Sequence, residues 1–316
     1  MTSSILSRRA IENERLLPTL SLSALVVTIL LILVGSIVRV TGNGLGCPDW
    51  PLCYGQAIPP ALTGAWVEFS HRLVTGAVSL LIVSVAALAW HSYSERKWIF
   101  RPALLALGLL VTQIGLGGLH VIMENPPETG LLHTGIAMMI VGLLAVVAAN
   151  ASLAAREIQT AGARLFQDNR FVGLVSATAV ALYFLLMTGS FVTRSGASLV
   201  CPFWPACGAN PEALSWMVNA HLLHRYTAYT IGILTIVIAV WMFRQRAIGI
   251  FKRYATALII LLTLQISLGI GNVLLRIPMW TRALHLTVGA TFWVAMVGLW
   301  AIVMTQRAGK TESIDV

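Results

Sequence analysis

Eight apolar runs follow one another along the chain, separated by short polar stretches. They lie near residues 19–39, 66–90, 102–122, 131–150, 171–193, 217–243, 254–275 and 280–305. Each approaches the ~20 residues a helix needs to cross a hydrocarbon core of ~30 Å. Helical periodicity inside the runs adds little, because a helix between lipid and protein is apolar nearly all round. The pattern predicts an all-α integral membrane protein with eight transmembrane helices. The first eighteen residues are polar and end at Pro18, so a cytoplasmic segment 1–18 is expected before helix one. No cleavable signal peptide is evident, and the first run is expected to be retained.

The chain also repeats itself. GSIVRVTGNGLGCPDWPLCYG from Gly35 resembles GSFVTRSGASLVCPFWPACG from Gly189. EFSHRLVTGAVSL, beginning at position 68, resembles HLLHRYTAYTIGIL from His221. LLVTQIGLGG from Leu109 resembles LLTLQISLGI from Leu261, and LLHTGIAMM from Leu131 resembles RALHLTVGA from Arg282. The offsets are 154, 153, 152 and 152 residues, a nearly constant register. An even number of helices per half makes the repeat parallel rather than inverted. Two pseudo-twofold-related four-helix bundles are therefore expected. Their bounds are 19–150 and 171–305, joined by a cytoplasmic linker at 151–170 and followed by a cytoplasmic tail at 306–316.

Composition sharpens this picture. Of 316 residues, 57% are hydrophobic and 10% are charged, and the mean hydropathy is +0.82. Soluble domains carry about 25% charged residues, so this chain has too few to cover a water-facing surface. The net charge of +9 does not point to nucleic acid, because its basic residues stand in short loops rather than a groove. With the N-terminus in the cytoplasm, Arg39, Arg72, Arg194, Arg225, Arg276 and Arg282 fall at the outer ends and loops. The remaining Lys and Arg of the 21 fall inside, all three lysines among them. The positive-inside bias thus predicts a multi-pass protein of the cell (inner, cytoplasmic) membrane, both termini cytoplasmic and the cysteine loops outside.

Candidate chemistry begins with histidine. Four of the seven occupy repeat-equivalent places, His71 with His224 and His133 with His285, each near the start of an even-numbered helix. Even helices all run inward, so the four imidazoles share one depth in the outer half of the membrane. An imidazole inside a membrane is a functional-site candidate, the plain alternative being a hydrogen bond between helices. Zinc usually takes four ligands, often with Cys or carboxylate. Two imidazoles on facing helices suit instead the axial positions of haem iron, in a bundle interior of the kind that holds cofactors. The propionates would face the outer surface, where Arg39, Arg72, Arg194, Arg225, Arg276 and Arg282 are candidate partners, each with snorkelling as its alternative. Gly115, Gly117 and Gly118 on helix three answer to Gly269 and Gly271 on helix seven, and suit close approach of either a helix or a flat ligand.

The four cysteines form two matched C-x5-C pairs, Cys47 with Cys53 and Cys201 with Cys207, in outer loops where disulfides persist. Loop staples and thiol–disulfide exchange both remain open. No C-x2-C-H motif for thioether attachment is present. Glu68 stands three residues before His71, on the same helix face, and its repeat partner is His221. A carboxylate there can move protons; the alternative is an acid favoured by the helix N-terminus. That asymmetry marks the first half as the chemical one. His91 reads as interfacial, while His120, with Asn272 at its repeat position, and His221 are left without an axial role.

These features together resemble the haem A synthase family of the bacterial type. They are eight helices in two halves, EFSHR at 68–72, histidines on helices two, four, six and eight, and C-x5-C in the first outer loop. The resemblance covers roughly 19–305. It implies oxidation of a methyl substituent of haem O to a formyl group by two successive hydroxylations with loss of water, yielding haem A for terminal oxidases. It implies that His71 and His133 hold the substrate haem and that His224 and His285 hold a resident haem b relaying electrons. Glu68 would be catalytic, the first cysteine pair would bear on activity, and the second would staple its loop. It also implies contact with haem O synthase. Membrane lipid and an unidentified electron acceptor complete the expected partners, a homo-oligomer stays open, and nucleic acid is excluded. The competing reading is a non-catalytic, cytochrome b-like di-haem electron carrier. A transporter is disfavoured by the parallel repeat and by the lack of broken helices with midplane charges.

Overall fold

The computed structural model describes residues 2–156, 165, 167–208, 214–244 and 249–311. Parts of the expected linker (157–164 and 166) and tail (312–316) lie outside the described residues, as do Arg164 and Arg246. Eight long helices carry the fold: α1 (Thr2–Val40), α2 (Thr63–Ser92), α3 (Lys97–Ile122), α4 (Pro127–Arg156), α5 (Asn169–Arg194), α6 (Ser215–Arg244), α7 (Gly249–Leu274) and α8 (Met279–Thr311). Each contains a stretch long and apolar enough to cross a membrane, and no strand occurs among the described residues. This is an all-α, multi-pass membrane protein. Every predicted apolar run falls inside one helix or overruns it by a single residue.

At the N-terminus α1 begins at Thr2, ahead of the apolar run, and passes through Pro18 without a break. Proline removes one i→i−4 bond, but the carbonyl it orphans lies before the apolar run, where water can reach it. The turn is held by hydroxyls instead: Thr19 donates to the Arg15 carbonyl at 3.0 Å and Ser21 to that of Leu17 at 2.7 Å.

Helix packing follows the repeat. In the first half α1 contacts α2, α2 contacts α3, α3 contacts α4, and α4 returns to α1. In the second half α5, α6, α7 and α8 close the same ring. Within each ring the second and fourth helices stand diagonally, and these are the helices that carry the paired histidines. The rings meet along α4 and α8, with α1 also against α8 and α5 also against α4. Accordingly α4 and α8 are the most buried membrane stretches, at 56% and 61%, against 11% to 33% for the others. The outward faces of the remaining helices expose Leu80, Val111, Phe184 and Ile233, as lipid contact requires.

Polar groups along this seam find partners. The Trp293 indole donates to the Met138 carbonyl at 2.8 Å and lies over Gly142. Thr305 donates to the Asn150 side chain at 2.6 Å. Tyr183 donates to the Gly135 carbonyl at 3.3 Å.

The turns preceding α4 and α8 repeat too. Glu124 and Asn125 in one, Arg276 and Ile277 in the other, adopt left-handed φ between 58° and 61°. Pro126 and Pro278 follow, and a proline bars the preceding residue from the right-handed helical region. The helix therefore ends, and the turn closes by Asn125 N–H to the His120 carbonyl (2.8 Å) and Ile277 N–H to that of Asn272 (2.7 Å).

Candidate functional site

Each of the four paired histidines is half-buried and rests on a glycine of the neighbouring helix. His71 lies against Gly35 on α1, His133 against Gly117 on α3, His224 against Gly189 on α5 and His285 against Gly269 on α7. A Cβ at these glycines would meet the imidazole at 3.1, 3.3, 2.9 and 3.2 Å respectively. Glycine is needed because any side chain would push the ring out of its place. Of the helix-three and helix-seven glycines, only Gly117 and Gly269 share this register. Gly118 receives the flat face of Trp50 from the loop between α1 and α2, while nothing approaches Gly115.

His71 and His133 stand within electrostatic reach of each other, as do His224 and His285. Each half thus brings its two imidazoles together from diagonal helices. The ring nitrogens Nδ1 of His133 and His285 are buried without a partner, as are the Oε1 atoms of the repeat-equivalent Gln113 and Gln265. Buried polar atoms are normally satisfied, so a matched set of orphans in both halves sets these positions apart. Among the described residues no three His, Cys, Asp or Glu side chains gather as a metal-ion site. In each half these two glycine-seated imidazoles among apolar walls are the residues that would hold a haem iron.

Glu68 is buried and forms an ion pair with Arg72, Oε1 to Nε 3.4 Å. Arg72 also donates to the Leu52 (2.7 Å) and Asp49 (3.1 Å) carbonyls, and so joins the carboxylate to the first loop. In the second half the buried Arg225 is engaged more fully, donating to the carbonyls of Phe203, Pro205, Ala206 and Cys201 at 2.7 to 3.1 Å. These two arginines, each next to a histidine, hold the loops that cap the halves. The loops themselves are closed by disulfides Cys47–Cys53 and Cys201–Cys207. His221, at the repeat position of Glu68, pairs through Nδ1 with the Ala197 carbonyl at 3.0 Å and holds the short 3-10 turn Ala197–Leu199.

The other arginines differ in setting. Arg276 is exposed in its turn. Arg39 lies within electrostatic reach of Arg194 and Arg282 at the end of the seam nearer the cysteine loops, and none of the three forms an ion pair among the described residues. Arg194 crosses between halves: it leaves α5, packs on Gly130 at the start of α4 and donates to Thr134 at 3.2 Å, beside His133. In the repeat register Arg282 itself stands where Gly130 does. That crossing could not be read from spacing, since it pairs residues 60 positions apart across the seam.

His120 stacks on His133, ring centroids 6.3 Å apart and planes 16° apart, and its Nδ1 meets Thr129 Oγ1 at 2.6 Å. The sequence left it without an assignment, and only packing brings it to the site. Asp49 serves the first loop. Its carboxylate accepts the Tyr54 and Gly55 N–H groups at 2.6 and 2.7 Å, and the Gly55 N–H holds its pKa below the usual carboxylate value.

Comparison with known proteins identifies a family. The COX15-CtaA family, described as cytochrome oxidase assembly protein, matches residues 18–65 and 61–297. A haem A synthase of Halalkalibacterium halodurans is 29% identical over 252 residues, covering 74% of this chain and 83% of its own. That of Lysinibacillus sphaericus is 29% identical over 225 residues, covering 67% and 71%. That of Bacillus cereus is 25% identical over 295 residues, covering 90% and 94%.

Proposed function

Since the chain belongs to the cytochrome oxidase assembly protein family, whose members above are haem A synthases, we propose that it is a haem A synthase, an oxidoreductase of haem biosynthesis. Its substrate is haem O, whose methyl group is oxidised to the formyl group of haem A. The observation that carries this reading over a di-haem carrier is an asymmetry. Both halves bring two glycine-seated imidazoles together, but only the first adds a buried carboxylate, Glu68; the second has His221 there, bound to a loop carbonyl.

In this reading His71 and His133 hold the substrate, and His224 and His285 hold a resident haem b, which when bound supplies one-electron redox chemistry. Glu68 accepts a proton near the reacting methyl or stabilises charge there, with Arg72 orienting its carboxylate. Trp50, laid on Gly118, packs the first loop against α3 beside this half. Arg39, Arg194 and Arg282 are the arginines best placed for propionates, because Arg72 and Arg225 are engaged by loop carbonyls and Arg276 faces outward. The paired packing of the rings supports a pseudo-twofold relation of 19–150 to 171–305. The arginine distribution supports cytoplasmic termini in a cell membrane. Haem O synthase, as source of the substrate, is the expected partner.

Mass analysis of the porphyrins in the purified protein tests this. Haem O, a hydroxylated form or haem A beside haem b is expected; haem b alone would favour the carrier. Glu68→Gln is expected to lower haem A formation about a hundredfold or more with porphyrin content unchanged, as loss of a general base does. Unaltered turnover would remove Glu68 from the chemistry.

A further inference from the structure

The two halves differ at one position beside the histidine seats, and the difference bears on which porphyrin stays. On α5, Thr188 precedes Gly189, the glycine under His224. Its hydroxyl donates to the Leu185 carbonyl at 2.9 Å and lies 3.1 Å from His224 Nδ1. A hydroxyl has one hydrogen; with it on the Leu185 carbonyl, Nδ1 carries the ring proton and donates to Oγ1. In that arrangement His224 is held in the tautomer that leaves Nε2 bare. Metal-binding histidines are oriented in this way: the second ring nitrogen donates to an oxygen, which sets the tautomer and makes the ring a better ligand.

In the first half the residue before the seat Gly35 is Val34, at the repeat offset of 154. Valine occupies the same volume as threonine but offers no oxygen. Among the described residues nothing hydrogen-bonds the His71 ring. The ring is also turned: it faces Gly35 with Cδ2 and Nε2, both 3.1 Å from where a Cβ would stand. His224 faces Gly189 with Cε1 and Nδ1, at 2.9 and 3.4 Å. On the opposite walls the halves are more alike. His133 and His285 present Cε1 to Gly117 and Gly269 at 3.3 and 3.2 Å. Gln113 donates to the His133 carbonyl at 3.1 Å, while Gln265 Nε2 lies 3.3 Å from His285 Nε2. On the His71 and His224 walls the difference is whether a hydroxyl oxygen reaches the ring nitrogen Nδ1.

We propose that Thr188 is a positioning residue that locks His224 as a permanent axial ligand. Val34 in its place leaves His71 free to turn, so that the second half retains its porphyrin while the first half exchanges substrate for product. The inference rests on the porphyrin sites proposed above. It assigns turnover to the first half on grounds independent of Glu68.

The test compares the wild-type protein with Thr188→Val, Thr188→Ser and Val34→Thr in one detergent. It follows porphyrin transfer to excess apomyoglobin and the midpoint potential of the retained haem. Thr188→Val is expected to speed loss of the retained haem about 10- to 100-fold, the usual effect of removing such a partner. It is also expected to raise the potential, because an unsupported imidazole donates less to the oxidised iron. Thr188→Ser restores both. Val34→Thr slows transfer of the other porphyrin, an expected gain that holds even if Thr188→Val fails to assemble. Wild-type transfer rates in both valine and threonine exchanges, or a Thr188→Val potential equal to wild type, would overturn the proposal. A His224→Ala protein that keeps its full porphyrin complement would instead overturn the underlying site.

Discussion

At the scale of single residues, polar side chains in this protein are meaningful because so few are buried in its membrane stretches. Glu68 is one, and its ion pair with Arg72 and position one helical turn before His71 tie it to both the loop and the site. Asp49 is the contrasting case, a fully exposed carboxylate whose two backbone donors shape the first loop. Its folded pKa is lowered, chiefly by the Gly55 N–H, so its contribution is complete above about pH 4 and fades as pH falls through the lowered value. The protection factors of the Tyr54 and Gly55 amides, taken against the intrinsic exchange rate at each pH, should therefore fall on acidification in the wild type. In Asp49→Asn they should already be low at neutral pH and change little with acid. The second loop, with Phe203 at the equivalent position, should show no such acid response.

At the scale of elements, the glycines set how close helices and rings approach. Gly189 is the tightest of the four histidine seats, since a Cβ there would stand 2.9 Å from His224 Cε1, closer than packed atoms tolerate. Gly189→Ala should displace the ring and lower porphyrin content, read from the Soret band per mole of protein. Gly115→Ala, where a Cβ meets nothing, should leave the spectrum unchanged and serve as the control. The helices themselves were legible from apolar run length alone, because a bilayer admits backbone only when its hydrogen bonds are satisfied within the segment. The start of α1 at Thr2 was not legible from hydropathy, because a helix can continue into a polar stretch and a proline near its start loses one bond without ending it.

At the scale of the molecule, the seam along α4 and α8 joins the two halves. Membrane helices associate through packing and hydrogen bonds rather than hydrophobic exclusion, and such a bond contributes about 0.6–1.7 kcal/mol. Trp293→Phe removes the donor to Met138 and should destabilise the protein by about that amount, seen as a lower midpoint of thermal unfolding in detergent. Topology gives a second prediction. After mild reduction of intact cells, a membrane-impermeant thiol reagent should label Cys47, Cys53, Cys201 and Cys207 from outside, while a reporter fused after Val316 should face the cytoplasm. Labelling confined to inverted vesicles would reverse the orientation.

Sequence reasoning reached the eight helices, the parallel repeat, the cysteine pairs and the four histidines, because each leaves a one-dimensional trace: a length, an offset or a spacing. It did not reach the glycine under each imidazole, Arg194 crossing onto Gly130, Arg72 and Arg225 clasping the loops, or the hydroxyl of Thr188 on His224. Those depend on which faces of separate helices meet. In a chain apolar nearly all round, no periodicity marks one face from another, so only the packed helices bring such residues together.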